Sequence, residues 1–317
     1  MMRWTCVFLA VLLTACTVGD GGTEPGEDQA DPIRVAAGPD PETALLAHTL
    51  VALLRRATLG AEVVAFSEAR DARRALEQGD VELRPAYTGE AWLETLGRPD
   101  PPGDPEASYL AVAEQDAERG ITWLEPVFGD TPDEPPANAT FAFVVADRDA
   151  QDAELTTVSQ LATRLAERPD ELICVDDEFA SRRDGLRAVL AAYSVRSDQP
   201  VLAANPQDAV LGVAAGDCLA GLTTATDGAA WQAGLRPLAD DLRVFPAFVP
   251  LPQLRDDTAG IEAVRTAIDP LPSHLSTTLL AAANGRIVAG EPLEQVADEL
   301  AVELLLRADR PVEPEAP

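Results

Sequence analysis

The chain has 317 residues, 46% of them hydrophobic, enough for one large globular unit or two medium ones. Its 54 acidic residues outweigh 24 basic ones and leave a formal net charge of −30, which repels phosphate backbones and excludes nucleic acid as a partner. Lysine does not occur, so every basic side chain is an arginine. Behind Arg3 runs "WTCVFLAVLL", too short to cross a bilayer as a mature helix but suited to the core of a signal peptide over residues 1–15. Residues 16–31, rich in Gly, Pro and acid with almost no large apolar side chain, read as a flexible tether.

From Ile33 onward strands and helices alternate. "IRVAAG" is a strand, "PETALLAHTLVALLRRA" has helical apolar spacing with a proline near its start, and "AEVVAF" is a second strand. "SEARDARRALEQG" predicts a helix capped by Ser67 and stopped by Gly79, and "VELRPA" a third strand. A second run begins at "TFAFVVA" and continues through "ELICVDD", a helix from about Arg183 to Ala192, "PVLAAN", the helix "PQDAVLGVAAG" and "DCLAGLTTA". The tail from Pro270 to Arg307 is largely helical, with "GRIVAGEPLEQ" as a connection. This alternation predicts α/β architecture with parallel sheets flanked by helices. Two such units joined by more than one crossing would leave a cleft between two lobes.

Four cysteines are present. Cys6 lies in the signal segment, and "LTAC" ending at Cys16 resembles the lipobox of bacterial lipoproteins, whose cysteine is acylated. That resemblance implies a protein held by lipid on the extracytoplasmic face of the cell membrane; an ordinary secretory signal with a chance cysteine is the plainer alternative. Cys174 and Cys218 remain. An exported location permits a disulfide between them, two buried free thiols being the other possibility, and two isolated cysteines are too few for structural zinc.

Several segments, in colinear order from Ile33 to Arg307, resemble the substrate-binding proteins that serve ABC importers of quaternary ammonium compounds such as glycine betaine and choline. They are "ALEQGDVELRPAYTG" with its Tyr-Thr-Gly, "GITWLEPV", "NATFAFVV", "EFASRRDGL", "ATDG", "FPAFVPLPQLR" and "LSTTLLAAANGRIV". The resemblance implies a two-lobed periplasmic-binding-protein-like fold of type II with mostly parallel sheets. One lobe would span 32–142 plus 248–317, the other 143–247. It also implies a monomer without a cofactor that delivers its ligand to a membrane permease. A binding protein of the same fold for another small ligand, or for a sensory partner, is the alternative.

A trimethylammonium group carries a diffuse charge and no donor, so proteins hold it with aromatic faces, each wall contributing about 0.5–2 kcal/mol. Carried over from the family pattern, Tyr87 is one wall, at the cleft end of its strand. Phe141 and Phe248 stand where the family usually has tyrosines. Each is also an unremarkable core aromatic if the resemblance is set aside. The fourth wall falls on Thr224 and is therefore missing; Trp92 and Trp231 are candidates to replace it, though both suit packing within a lobe. For a ligand carboxylate the resemblance implies Arg182, with Arg183 one residue away, while the family's lysine is replaced by Gly38 and the threonine after Tyr-Thr-Gly by Glu90. An acid there opposes a carboxylate, so a carboxylate-free ammonium such as choline is expected to bind better than glycine betaine. If Thr88 caps the following helix, Glu90 is equally explained by the helix dipole.

An enzyme is not expected. Only His48 and His274 are available as imidazole bases, both in helical patterns, and no nucleophile elbow, zinc-ligand spacing or phosphate loop occurs.

Overall fold

In the computed structural model, described over residues 31–128, 136–152, 155–182 and 185–310, the alternation resolves into two five-stranded sheets. The signal segment and Cys16 lie outside the described residues, as does Arg183. Among the described residues no helix is long and apolar enough to cross a membrane.

The first stretch runs β1 (Ile33–Ala37), α1 (Pro41–Arg56), β2 (Ala61–Ala65), α2 (Ala69–Gln78), β3 (Leu83–Tyr87), α3 (Thr88–Glu94), α4 (Pro105–Ala117) and β4 (Ile121–Trp123). The chain then crosses into β5 (Phe141–Ala146), α5 (Asp147–Asp152), α6 (Val158–Glu167), β6 (Ile173–Asp176), α7 (Asp177–Ser181), α8 (Leu186–Ala192), β7 (Val201–Ala204), α9 (Pro206–Ala215), β8 (Ala220–Thr224), α10 (Gly228–Gln232) and β9 (Leu235–Pro237). It returns through β10 (Pro250–Arg255), α11 (Asp256–Ala259), α12 (Glu262–Ile268), α13 (Pro270–His274), α14 (Thr277–Val288) and α15 (Leu293–Ala308). Sheet orders are β2-β1-β3-β10-β4 and β7-β6-β8-β5-β9.

The sheets are mixed, not mostly parallel. β10 is antiparallel to β3 and β4, and β5 is antiparallel to β8 and β9. The cause is the double crossing. β5 and β10 are the first strands after each passage between lobes, so they enter their sheets from the cleft end while β3, β4, β8 and β9 run towards it. Register makes this explicit: Pro250 opens β10 opposite Tyr87, the last residue of β3, and Phe141 opens β5 opposite Thr224, the last of β8.

Alternation along the strands sends side chains to two cores per sheet. Val35, Ala37, Leu83 and Leu254 face α1 and the C-terminal helices α12–α15, while Ala36, Ala86, Leu251 and Trp123 face α2, α3 and α4. In the second sheet Phe143, Val145, Ile173, Val175 and Leu222 pack on α6, α7 and α8, and Val144, Ala146 and Cys174 pack on α9 and α10.

Several local expectations change. Ser67 is not a cap: α2 starts at Ala69 behind Glu68, though Gly79 does end it in the left-handed region at φ 81°. The helix expected at 183–192 is α8, starting only at Leu186, with α7 as a separate short helix before it. The stretch "GRIV" finishes α14, and the connection is confined to residues 289–292. Cys174 and Cys218 form a disulfide with a Cα separation of 5.8 Å. Cys174 sits on β6 but is level with Gly221, so Cys218 reaches it from the turn ahead of β8 and not from a paired strand position. α9 lies directly on this bridge: a β-carbon at Gly212 would stand 2.8 Å from Cys174 Sγ.

Candidate ligand site

The cleft is built from strand ends and the helix starts that follow them. At the end of β1, Asp40 caps α1, accepting from the Thr43 backbone N–H at 2.8 Å and from its hydroxyl. This cap closes the position where the family's lysine was looked for. A β-carbon at Gly38 would stand 2.6 Å from Thr43 Oγ1.

Glu42, in the first turn of α1, accepts hydrogen bonds from the Tyr87 hydroxyl and from Asn284 Nδ2 on α14. The same Asn284 nitrogen donates to the Thr226 carbonyl at 2.9 Å, which belongs to the loop behind β8. Burial raises the Glu42 pKa even against these hydrogen bonds and raises that of Tyr87 as well, keeping the phenol neutral as donor. Sequence reasoning did not select Glu42 or Asn284. An acid in a first helical turn is ordinary on dipole grounds, and its pairing with a residue 242 positions away leaves no local signal.

Tyr87 ends β3, and Thr88 is the first residue of α3, not its cap. Fully buried, the Thr88 hydroxyl accepts from Val249 N–H at 3.2 Å and donates to the Ala247 carbonyl, locking α3 to the segment that brings in Phe248. Gly89 makes room for that ring: a β-carbon there would stand 2.7 Å from both Phe248 Cε2 and the Ala247 carbonyl. The two crossing segments are tied together as well. Asn138 Oδ1 accepts from Phe248 N–H at 2.7 Å, and the Thr140 hydroxyl donates to the Pro246 carbonyl at 2.6 Å.

The result is a cleft of about 450 Å³ bordered by Tyr87, Glu90, Thr224 and Phe248 among the expected residues, together with Asp40, Glu42, Thr226 and Arg84. Phe141 and Arg182 do not border it. The Phe141 ring packs on Phe179 (centroids 5.1 Å apart) and Phe245 in the second-lobe core, and the Arg182 guanidinium lies 5.9 Å from the centre of the Phe179 ring. Neither Trp92 nor Trp231 borders the cleft. Trp92 donates to the Pro99 carbonyl at 3.2 Å beneath Arg98, and Trp231 packs against Gly285 of α14.

Three carboxylates, Asp40, Glu42 and Glu90, thus border the cleft against one guanidinium, that of Arg84. Burial raises Glu90 and disfavours charge on Arg84, the two acting on each other through space. Aromatic faces beside a surplus of acid suit a cation that offers no hydrogen-bond donors.

Residues 31–301 match the family described as the substrate binding domain of ABC-type glycine betaine transport systems. The glycine-betaine-binding protein of Pseudomonas aeruginosa is 26% identical over 287 residues, covering 87% of this chain and 89% of that one. The glycine betaine-binding protein YehZ of Escherichia coli is 28% identical over 236 residues, 72% of this chain and 75% of its own. The structure of apo YehZ superposes with a TM-score of 0.77 at 24% identity, covering 88% and 99% of the two chains, which shows the same fold.

Proposed function

The chain belongs to the family of substrate-binding domains of ABC-type glycine betaine transport systems, and from that premise we propose that its cleft captures a quaternary ammonium compound of the choline or glycine betaine type for an import permease. The observation that carries this reading is the meeting of Tyr87 and Phe248 with Asp40, Glu42 and Glu90 around one cavity. Tyr87 and Phe248 are the cage walls, and Thr224 lies across from them. Phe141 and Arg182, grouped with Phe179 on the second lobe, come to the ligand only as the lobes close, a hinge movement that also gives a permease something to recognise. Lipid on Cys16 would hold the monomer at the outer face of the membrane.

Titration calorimetry of the protein with choline, glycine betaine, carnitine and proline betaine tests the cleft. Saturable binding of at least one is expected, with a matching rise in melting temperature. No heat and no stabilisation from any of the four would overturn the reading. The anchor is tested separately: Cys16→Ser should release the protein from membranes.

A further inference from the structure

Among the described residues Arg84 is a buried guanidinium with no carboxylate in contact. It sits in the middle of β3, is only 5% exposed, and reaches the cleft bordered by Tyr87, Glu90 and Phe248. Its one protein hydrogen bond runs from Nη1 to the Ala69 carbonyl at a long 3.3 Å. Its Nε–H is buried and has no partner, and among the described residues no carboxylate lies within 4.0 Å of the guanidinium.

Asp116, the buried acid behind Arg84's neighbour Gln253, is already taken. Gln253 stands directly opposite Arg84 on β10 and is held by its amide, which donates to Asp116 Oδ2 at 3.0 Å. Fully buried Asp116 is in turn saturated by Arg73, which donates to both its oxygens at 2.7 and 2.8 Å, and by Trp123 Nε1. The other arginines around the adjoining hollow are paired: Arg70 with Glu68, and Arg119 with Asp116 at 3.8 Å. Glu90 and Glu94 act on Arg84 only through space, from beyond 4.0 Å, and a buried guanidinium with no carboxylate in contact is unfavourable, so a donor that reaches the edge of the cleft is matched by whatever binds there.

We propose that Arg84 is the carboxylate-binding residue of the cleft, and that the preferred ligand is a zwitterion whose ammonium rests between Tyr87 and Phe248 while its carboxylate takes the free donors of Arg84. This rests on the proposed function. It assigns the anionic end of the ligand to a residue inside the first lobe, where Gly38 leaves no room for a lysine and Arg182 stands outside the cleft. It also reverses the preference expected from Glu90 alone. A guanidinium–carboxylate pair has charge-assisted, two-point geometry that a choline hydroxyl cannot match.

The test is calorimetry with glycine betaine and choline on the wild type, Arg84→Met and Arg84→Lys, with apo melting temperatures. The wild type should prefer glycine betaine. Arg84→Met should lose at least about tenfold in glycine betaine affinity, with choline changed less than about threefold, because one charge-assisted contact disappears. Its apo melting temperature should not fall, since an apolar chain of similar size replaces an unpaired buried charge. Arg84→Lys, which keeps the charge without the planar fork, should fall between the two in glycine betaine affinity. A wild type that prefers choline, an equal loss of both ligands in Arg84→Met, or a marked drop in its apo stability would each overturn the assignment and leave Arg84 a structural residue. Binding of neither ligand by the wild type would instead overturn the functional reading on which the assignment rests.

Discussion

Tyr87 borders the cleft and donates its hydroxyl to Glu42, and under the proposed function these are two distinct roles. The two separate by substitution. Tyr87→Ala should weaken a quaternary ammonium ligand by about 1–2 kcal/mol as a desolvated cation–π wall is lost, whereas Tyr87→Phe keeps the wall and strips one donor from Glu42. Phe248→Ala should resemble Tyr87→Ala, and Phe141→Ala should cost less binding and more stability, because that ring packs in the second-lobe core. Calorimetry and melting curves of the four variants check this ordering. Acidity supplies a second residue-scale test. Burial raises both Glu42 and Glu90, so as pH falls they take up protons sooner than ordinary glutamates do. A bound choline favours their ionised forms, hence protons compete with it. Choline affinity should fall as pH is lowered from neutrality towards the usual glutamate range, and the Glu42→Gln, Glu90→Gln double variant should flatten that profile. A profile equally steep in the double variant would place the titration elsewhere.

At the scale of elements, what the sequence carried well was the order of strands and helices and some of their end signals, though its caps at Ser67 and Thr88 failed. The proline that opens α1 and the glycines that end α2 and α9 are each decided by neighbours a few positions away. What it concealed were contacts made across the chain. Thr88, a candidate cap, instead pins α3 to Val249, and Gly89 is kept small by a ring 159 residues further on. The same kind of contact yields a prediction. Gly89→Ala would drive a methyl into Phe248 and the Ala247 carbonyl, so it should lower ligand affinity together with stability, the stability loss being about 1–3 kcal/mol as for other overpacked sites. Denaturant melts and calorimetry report the two effects. The Cys174–Cys218 bridge closes a span of 44 residues within the second lobe alone, which on chain-entropy grounds is worth about 4 kcal/mol. Reduction should destabilise the protein by roughly that amount, read from urea midpoints with and without reductant. Thiol titration of the unfolded, unreduced protein should find neither of these two cysteines free.

For the whole molecule, the double crossing between lobes came with the family resemblance, while two α/β units were legible because strand–helix alternation occurs twice. The reversed sense of β5 and β10 was not, since strand direction depends on the end from which the chain enters a sheet, and no residue pattern within the strand records it. Nor did the sequence reveal how the lobes are joined beyond the crossings. Gly228 of α10 lies so close to α14 that a β-carbon on it would stand 2.5 Å from the Asn284 carbonyl carbon. At the same place the Asn284 side chain bridges Glu42 in the first lobe to the Thr226 carbonyl at the end of the second-lobe sheet. Through Glu42 the same bridge ties Tyr87 to the Thr226 side of the cavity. Asn284→Ala would remove it while leaving Tyr87, Phe248 and Arg84 unsubstituted. Losing one charge-assisted and one neutral hydrogen bond costs about 1–3 kcal/mol, and a smaller population of the binding-ready arrangement weakens every ligand by the same factor. Affinity for glycine betaine and choline should therefore drop together, by about five- to a hundredfold, with their ratio kept. Arg84→Met should show the opposite signature, a changed ratio with choline preserved. If Asn284→Ala instead alters the ratio, the asparagine meets the ligand itself; if it alters nothing, the lobes hold their arrangement through the α10–α14 packing and the two crossing segments alone.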